Sequence, residues 1–255
     1  MPKARVNDIQ IYHEVYGEGF PLLMIHGLGA NLDWWEPRMV QELSKRFMTV
    51  LFDNRGAGRT DVSDSRYTIK LFADDTVGLM EALGISKAHV LGISMGGRIA
   101  QELVLNYPQK VEKLVLCSAS CGGKEAVPPS DEMRRMLAAD RSAAAHAAVT
   151  EDFVKNNPDV VEATRRRVLK APISDEAYRR QMSASLESHT YDRLSQIRVP
   201  TLILHGRKDV LFPPENGRIL AEAIPGAELV YFERSGHALL EEMEEVINAV
   251  MSFLG

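Results

Sequence analysis

Short apolar runs alternate along the chain with longer amphipathic stretches. "IQIYHEVY" alternates apolar and polar positions, the pattern of a half-solvated strand, and predicts an early antiparallel strand. "PLLMIHG", "FMTVLFDN", "AHVLGIS", "VEKLVLCS", "PTLILHG" and "AELVYFE" are nearly continuous apolar runs. Such runs suit strands covered on both faces, as in a parallel sheet. Helical patterns fall between them over residues 34–46, 69–83, 95–107, 215–224 and 238–253. Strand and helix in alternation predict an α/β chain with a mostly parallel, doubly wound sheet and right-handed crossovers.

The rhythm breaks once. From residue 123 to 190 no strand-like run occurs, and charged helical patterns separated by prolines take over. The expected organisation is a core over 1–122, a helical cap over 123–190 and the second part of the core over 191–255. Met133, Met136 and Leu137 are candidates for the apolar underside of that cap.

Composition changes this picture little. The length suits one α/β domain with an insertion. A net charge of −5 gives no reason to expect nucleic acid or an anionic membrane as partner. The start, "MPKARVNDIQ", lacks an apolar stretch after its basic residues, and no run is apolar enough to span a membrane. The chain therefore reads as soluble and cytoplasmic, and nothing in the pattern sets an oligomeric state. Cys117 and Cys121 have no second pair to complete a tetrahedral metal site and read as free thiols.

Chemistry enters at "Gly92-Ile93-Ser94-Met95-Gly96", which fits G-x-S-x-G where a strand hands over to a helix. A turn that lifts a serine above the sheet edge needs an unusual backbone angle, and bulk two residues to either side would collide, so glycines stand there. A serine hydroxyl is a weak nucleophile and needs a base held by a third group. Asp209 follows the strand "PTLILHG", and His237 follows "AELVYFE", giving the order Ser, Asp, His. Among the other histidines, His26 and His205 end core strands and read as structural hydrogen-bonding residues, and Asp53 reads as stabilising its own turn. Glu215 and Glu233 are the remaining rivals of Asp209.

Acyl chemistry also needs donors for a developing oxyanion. The N–H of Met95, directly after the serine, is one candidate. The N–H of Leu28, in the "His26-Gly27-Leu28-Gly29" loop, is the other. Trp34, Trp35 and Ser118 are candidates for lining a substrate pocket. Arg165, Arg166 and Arg167 read as a solvated helix face balanced by nearby acids.

With "HGLGAN", "DNRGAGRT", "GISMGG", "HGRKD" and "SGH" in order, the chain resembles the α/β-hydrolase superfamily over essentially its full length. Within it the motifs look most like the carboxylesterase and 3-oxoadipate enol-lactonase branch. The resemblance implies a serine hydrolase with Ser94 as nucleophile, His237 as base, Asp209 as orienting acid, and no metal or organic cofactor. The implied partner is a small-molecule ester or lactone. A C–C bond hydrolase and a slow-turnover ligand receptor of the same fold are the alternatives.

Overall fold

The computed structural model describes residues 3–139 and 143–255. Eight strands form one sheet in the order β1-β2-β4-β3-β5-β6-β7-β8. They are β1 (Lys3–Val6), β2 (Ile9–Tyr16), β3 (Phe20–Ile25), β4 (Phe47–Phe52), β5 (Ala88–Ile93), β6 (Val111–Cys117), β7 (Thr201–Gly206) and β8 (Glu228–Phe232). β1 and β2 pair antiparallel with each other, β2 pairs antiparallel with β4, and every pairing from β4 to β8 is parallel. The mostly parallel sheet with flanking helices is the fold class expected from the apolar runs. β1 escaped that reading because a four-residue strand with two basic side chains leaves no periodic signal.

The continuous apolar character of the parallel strands follows from burial on both sides. On β3, Leu23 and Ile25 join one apolar cluster with α2 (Ile69–Ala82), α3 (Met95–Asn106) and α10 (Glu215–Ala223). Leu22 and Met24 join a second cluster with α1 (Pro37–Leu43) and α11 (Met243–Leu254). Alternate side chains of one strand thus serve two cores. Thr68 begins α2 by accepting the Leu71 N–H at 3.0 Å, a side-chain N-cap.

Two expected helices are broken at their starts. Residues 34–46 divide into a 3₁₀ turn at Leu32–Trp34 and α1, because Pro37 starts α1 and holds Glu36 extended. In residues 238–253, Leu239 is left-handed (φ 58) and a 3₁₀ turn at Leu240–Glu242 precedes α11.

Between the adjacent strands β6 and β7 the chain leaves the sheet through α4 (Asp131–Ala139), α5 (Ala143–Ala147), α6 (Glu151–Asn156), α7 (Pro158–Val168), α8 (Asp175–Glu187) and α9 (Tyr191–Leu194). The excursion is pinched at its base. Gly122 and His189 form an isolated antiparallel bridge, and Thr190 N–H donates to Cys121 O at 2.9 Å. Met133 and Leu137 are half-buried, whereas Met136 is exposed. Among the described residues no helix is long and apolar enough to cross a membrane.

Candidate active site

Ser94 sits between β5 and α3 with φ 59 and ψ −123, a conformation an L-residue adopts only when its surroundings impose it. Those surroundings are backbone. A Cβ on Gly92 would lie 2.3 Å from the Gly96 carbonyl oxygen, and one on Gly96 would lie 2.1 Å from the Ile25 carbonyl oxygen. Only glycine lets the turn close this tightly against α3 and β3. Ser94 N–H is held by Cys117 O at 3.0 Å, which ties the turn to the end of β6.

The sheet order places β3 beside β5, so the loop after β3 meets the serine. A Cβ on Gly27 would lie 2.9 Å from Ser94 Cβ and 3.3 Å from its Oγ. Ala30 N–H donates to Gly27 O at 3.3 Å. The trans peptide therefore aims the Leu28 N–H the opposite way, and among the described residues that N–H has no acceptor. Met95 N–H opens α3 at the positive end of the helix dipole.

Asp209 and His237 come together at the same edge of the sheet. His237 Nδ1 lies 2.8 Å from Asp209 Oδ2, and both residues are buried. Burial alone would push the Asp209 carboxyl up. The charge of His237 and hydrogen bonds from His205 and His237 outweigh it and hold the carboxyl down at about 2. The Phe212 ring stands edge-on to the His237 imidazole, with centroids 5.2 Å apart. Ser94 Oγ makes no hydrogen bond to His237 here.

The rival side chains are accounted for. Glu233 is exposed and pairs with Arg207, and Glu215 is exposed at the start of α10. Asp53 does more than brace its own turn. Its carboxylate accepts the Arg59 N–H at 2.8 Å within that turn and the Leu32 N–H at 2.7 Å from the loop that carries Leu28. His26 accepts the Gly27 N–H at Nδ1, and desolvation together with the charge of His237 pushes its imidazole down to about 3. It is neutral at working pH.

Of the expected lining residues, Trp34 is half-buried, and its ring faces that of His26 at 6.0 Å. Trp35 is packed into the core beside α1, and Ser118 is wholly buried with a left-handed φ of 44. In this conformation neither of the latter two presents surface to a substrate. Arg165 and Arg166 are exposed beside Glu162, as a solvated face requires, but Arg167 turns inward and donates to Asp33 O at 2.8 Å. Phe212 carried no signal in the sequence as a neighbour of the imidazole. His205, four positions before Asp209, was legible only as a strand-end residue. Among the described residues no cluster of His, Cys, Asp or Glu could hold a metal ion.

A family profile described as alpha/beta hydrolase fold matches residues 21–243. A relative from Caulobacter sp. strain K31, provisionally named carbamate hydrolase RutD, is 32% identical over 96% of this chain and 95% of its own length. The enol-lactonase of Burkholderia xenovorans LB400 superposes with a TM-score of 0.86 at 26% identity, covering 99% of both chains. A thermophilic esterase from Thermogutta terrifontis superposes with a TM-score of 0.84 at 28% identity, covering 99% of this chain and 97% of that one. Sheet order, the strained serine turn and the profile match converge: the chain belongs to the alpha/beta hydrolase fold family.

Proposed function

We propose that the chain is a serine hydrolase that transfers the acyl group of small to medium carboxylic esters to water, with residues 123–190 as its cap. The observation that carries this reading is the buried Asp209–His237 pair at 2.8 Å, at the sheet edge where Ser94 is held in a strained turn. In the reaction, Ser94 Oγ attacks the carbonyl carbon and its proton passes to His237. The N–H groups of Leu28 and Met95 hold the oxyanion of the tetrahedral intermediate. The intermediate collapses, the leaving alkoxide takes the proton from His237, and an acyl-enzyme remains. Water then attacks the acyl carbon, gives its proton to His237, and restores Ser94 as the acid departs. Asp209 fixes the imidazole tautomer and balances its positive charge. Two free, buried cysteines fit a cytoplasmic setting.

A lactone is an ester closed on itself, and the match to an enol-lactonase over nearly the whole of both chains supports lactone hydrolysis as the second reading. The test is a panel of p-nitrophenyl esters of increasing acyl length beside lactones and carbamates, with Ser94→Ala in parallel. We expect ester turnover in the wild type and a fall of at least about 10⁴-fold in the variant. Wild-type turnover in Ser94→Ala would remove the nucleophile. A lactone preference over every acyclic ester would install the second reading.

A further inference from the structure

Gln181 lies on α8, far from Ser94 in sequence, and is wholly buried. Its Oε1 accepts the Gly29 N–H at 2.8 Å, and its Nε2 donates to Arg55 O at 2.9 Å. The amide orientation is fixed by its partners, since a backbone N–H can meet only the oxygen and a carbonyl only the NH₂. α8 packs closely here. Ala177 is wholly buried against Ala57, and a Cβ on Gly29 would lie 2.9 Å from the Tyr178 ring.

The two peptides on either side of Leu28 are thus held separately. The Gly27–Leu28 peptide is fixed through its carbonyl by Ala30 N–H, and the Leu28–Gly29 peptide is fixed through its N–H by Gln181. Gly29 has φ +72, so this segment would otherwise be free to flip between peptide orientations. Below the loop, the Asp53 carboxylate holds Leu32 N–H. Two more bonds tie the loop to the excursion: Asn31 Nδ2 donates to Ala171 O at 2.6 Å, just after α7, and Arg167 of α7 donates to Asp33 O at 2.8 Å. Of the contacts that reach the loop from outside it, the one from Gln181 falls on the peptide next to the one that carries the Leu28 N–H.

We infer that Gln181 is a positioning residue for the reaction: from the helical excursion it locks the Leu28–Gly29 peptide and so aims the Leu28 N–H at the oxyanion. The proposal rests on the reading of Leu28 as an oxyanion donor. It makes α8 part of the catalytic geometry as well as a cover over it.

The test is Gln181→Met, which keeps length and removes both polar contacts, with Gln181→Asn, one methylene short of Gly29, as the second variant should the first not fold. Losing a whole oxyanion donor costs about 10²- to 10³-fold, and a donor left in place but loosened should cost less. We expect kcat/KM for the best ester to fall about 10- to 50-fold. Inhibition by a trifluoromethyl ketone, which forms a tetrahedral adduct with the serine, should weaken by the same factor. Inhibition by the matching methyl ketone, a ground-state mimic, should not change. Arg66→Ala, which cuts the exposed Arg66–Glu187 pair between core and α8, controls for general loosening and should leave kcat/KM unchanged. Wild-type kcat/KM in the Gln181 variants, equal losses for both ketones, or the same loss in Arg66→Ala would each overturn the proposal. Failure of the serine mechanism itself would show separately, as activity surviving in Ser94→Ala.

Discussion

His237 Nδ1 reaches Asp209 Oδ2 at 2.8 Å, and His205 Nε2, which donates to Phe212 O at 2.8 Å, lies 3.3 Å from the same carboxylate oxygen. The other carboxylate oxygen accepts the N–H groups of Leu211 and Phe212 at 2.9 and 2.8 Å. Every group facing this acid is a donor. Asp209→Asn must therefore turn an NH₂ toward at least one of them, and the charge that balances the imidazolium is lost. The expected fall in kcat is on the order of 10³- to 10⁴-fold, with the fold retained by circular dichroism. A variant within tenfold of wild type would take Asp209 out of the mechanism.

The same acid makes a pH-dependent contribution to stability. Its carboxyl is held at about 2 in the folded chain, against an ordinary value of about 4 when unfolded. A depressed acid stabilises the fold above the unfolded value and loses that contribution as the pH drops through the folded one. Urea unfolding of wild type and Asp209→Asn at pH 6, 4 and 3 should show a stability gap that narrows toward acid. A gap of constant size would mean that the carboxyl is not held down.

Gly96 faces the Ile25 carbonyl oxygen, which a Cβ would approach to 2.1 Å. Neither β3 nor α3 can yield without moving the sheet. Gly96→Ala should cost about 3 kcal/mol or more, or leave the protein insoluble. Gly226→Ala is the contrast. It has φ +72 but nothing within 4 Å, and should cost only about 1 kcal/mol. Thermal melts of the two variants give the comparison, and equal losses would contradict the close approach at Gly96.

Asp53→Ala should leave the Leu32 and Arg59 N–H groups without acceptors in a buried setting. At about 1–3 kcal/mol for each orphaned donor, a loss of roughly 3 kcal/mol is expected. Because Leu32 belongs to the loop that carries Leu28, kcat should fall as well. An active, fully stable Asp53→Ala would show that the loop holds its shape without this acid.

Much of the fold was legible because burial on two faces writes itself into the strands as unbroken apolar runs. The serine turn was legible because its geometry admits glycine alone at Gly92 and Gly96. Contacts made across long sequence separations left no such trace. Gln181 sits in a helix whose spacing says nothing of Gly29, and Asp53 could be read against its own turn but not against Leu32. Trp35 and Ser118 show the converse limit. Both read from the chain as pocket candidates, and only packing decides that Trp35 joins the core and that Ser118 is wholly buried.

The narrow neck at Gly122 and His189 bears on how such a chain changes over generations. Because Gly122 and His189 are bridged at its base, the two ends of the helical excursion stay about a strand spacing apart whatever lies between them. Insertions, deletions or wholesale exchange of that segment need not renegotiate the register of the sheet. Acquiring a new substrate preference is thereby uncoupled from the cost of refolding the scaffold, provided that the replacement still offers an acceptor to Gly29.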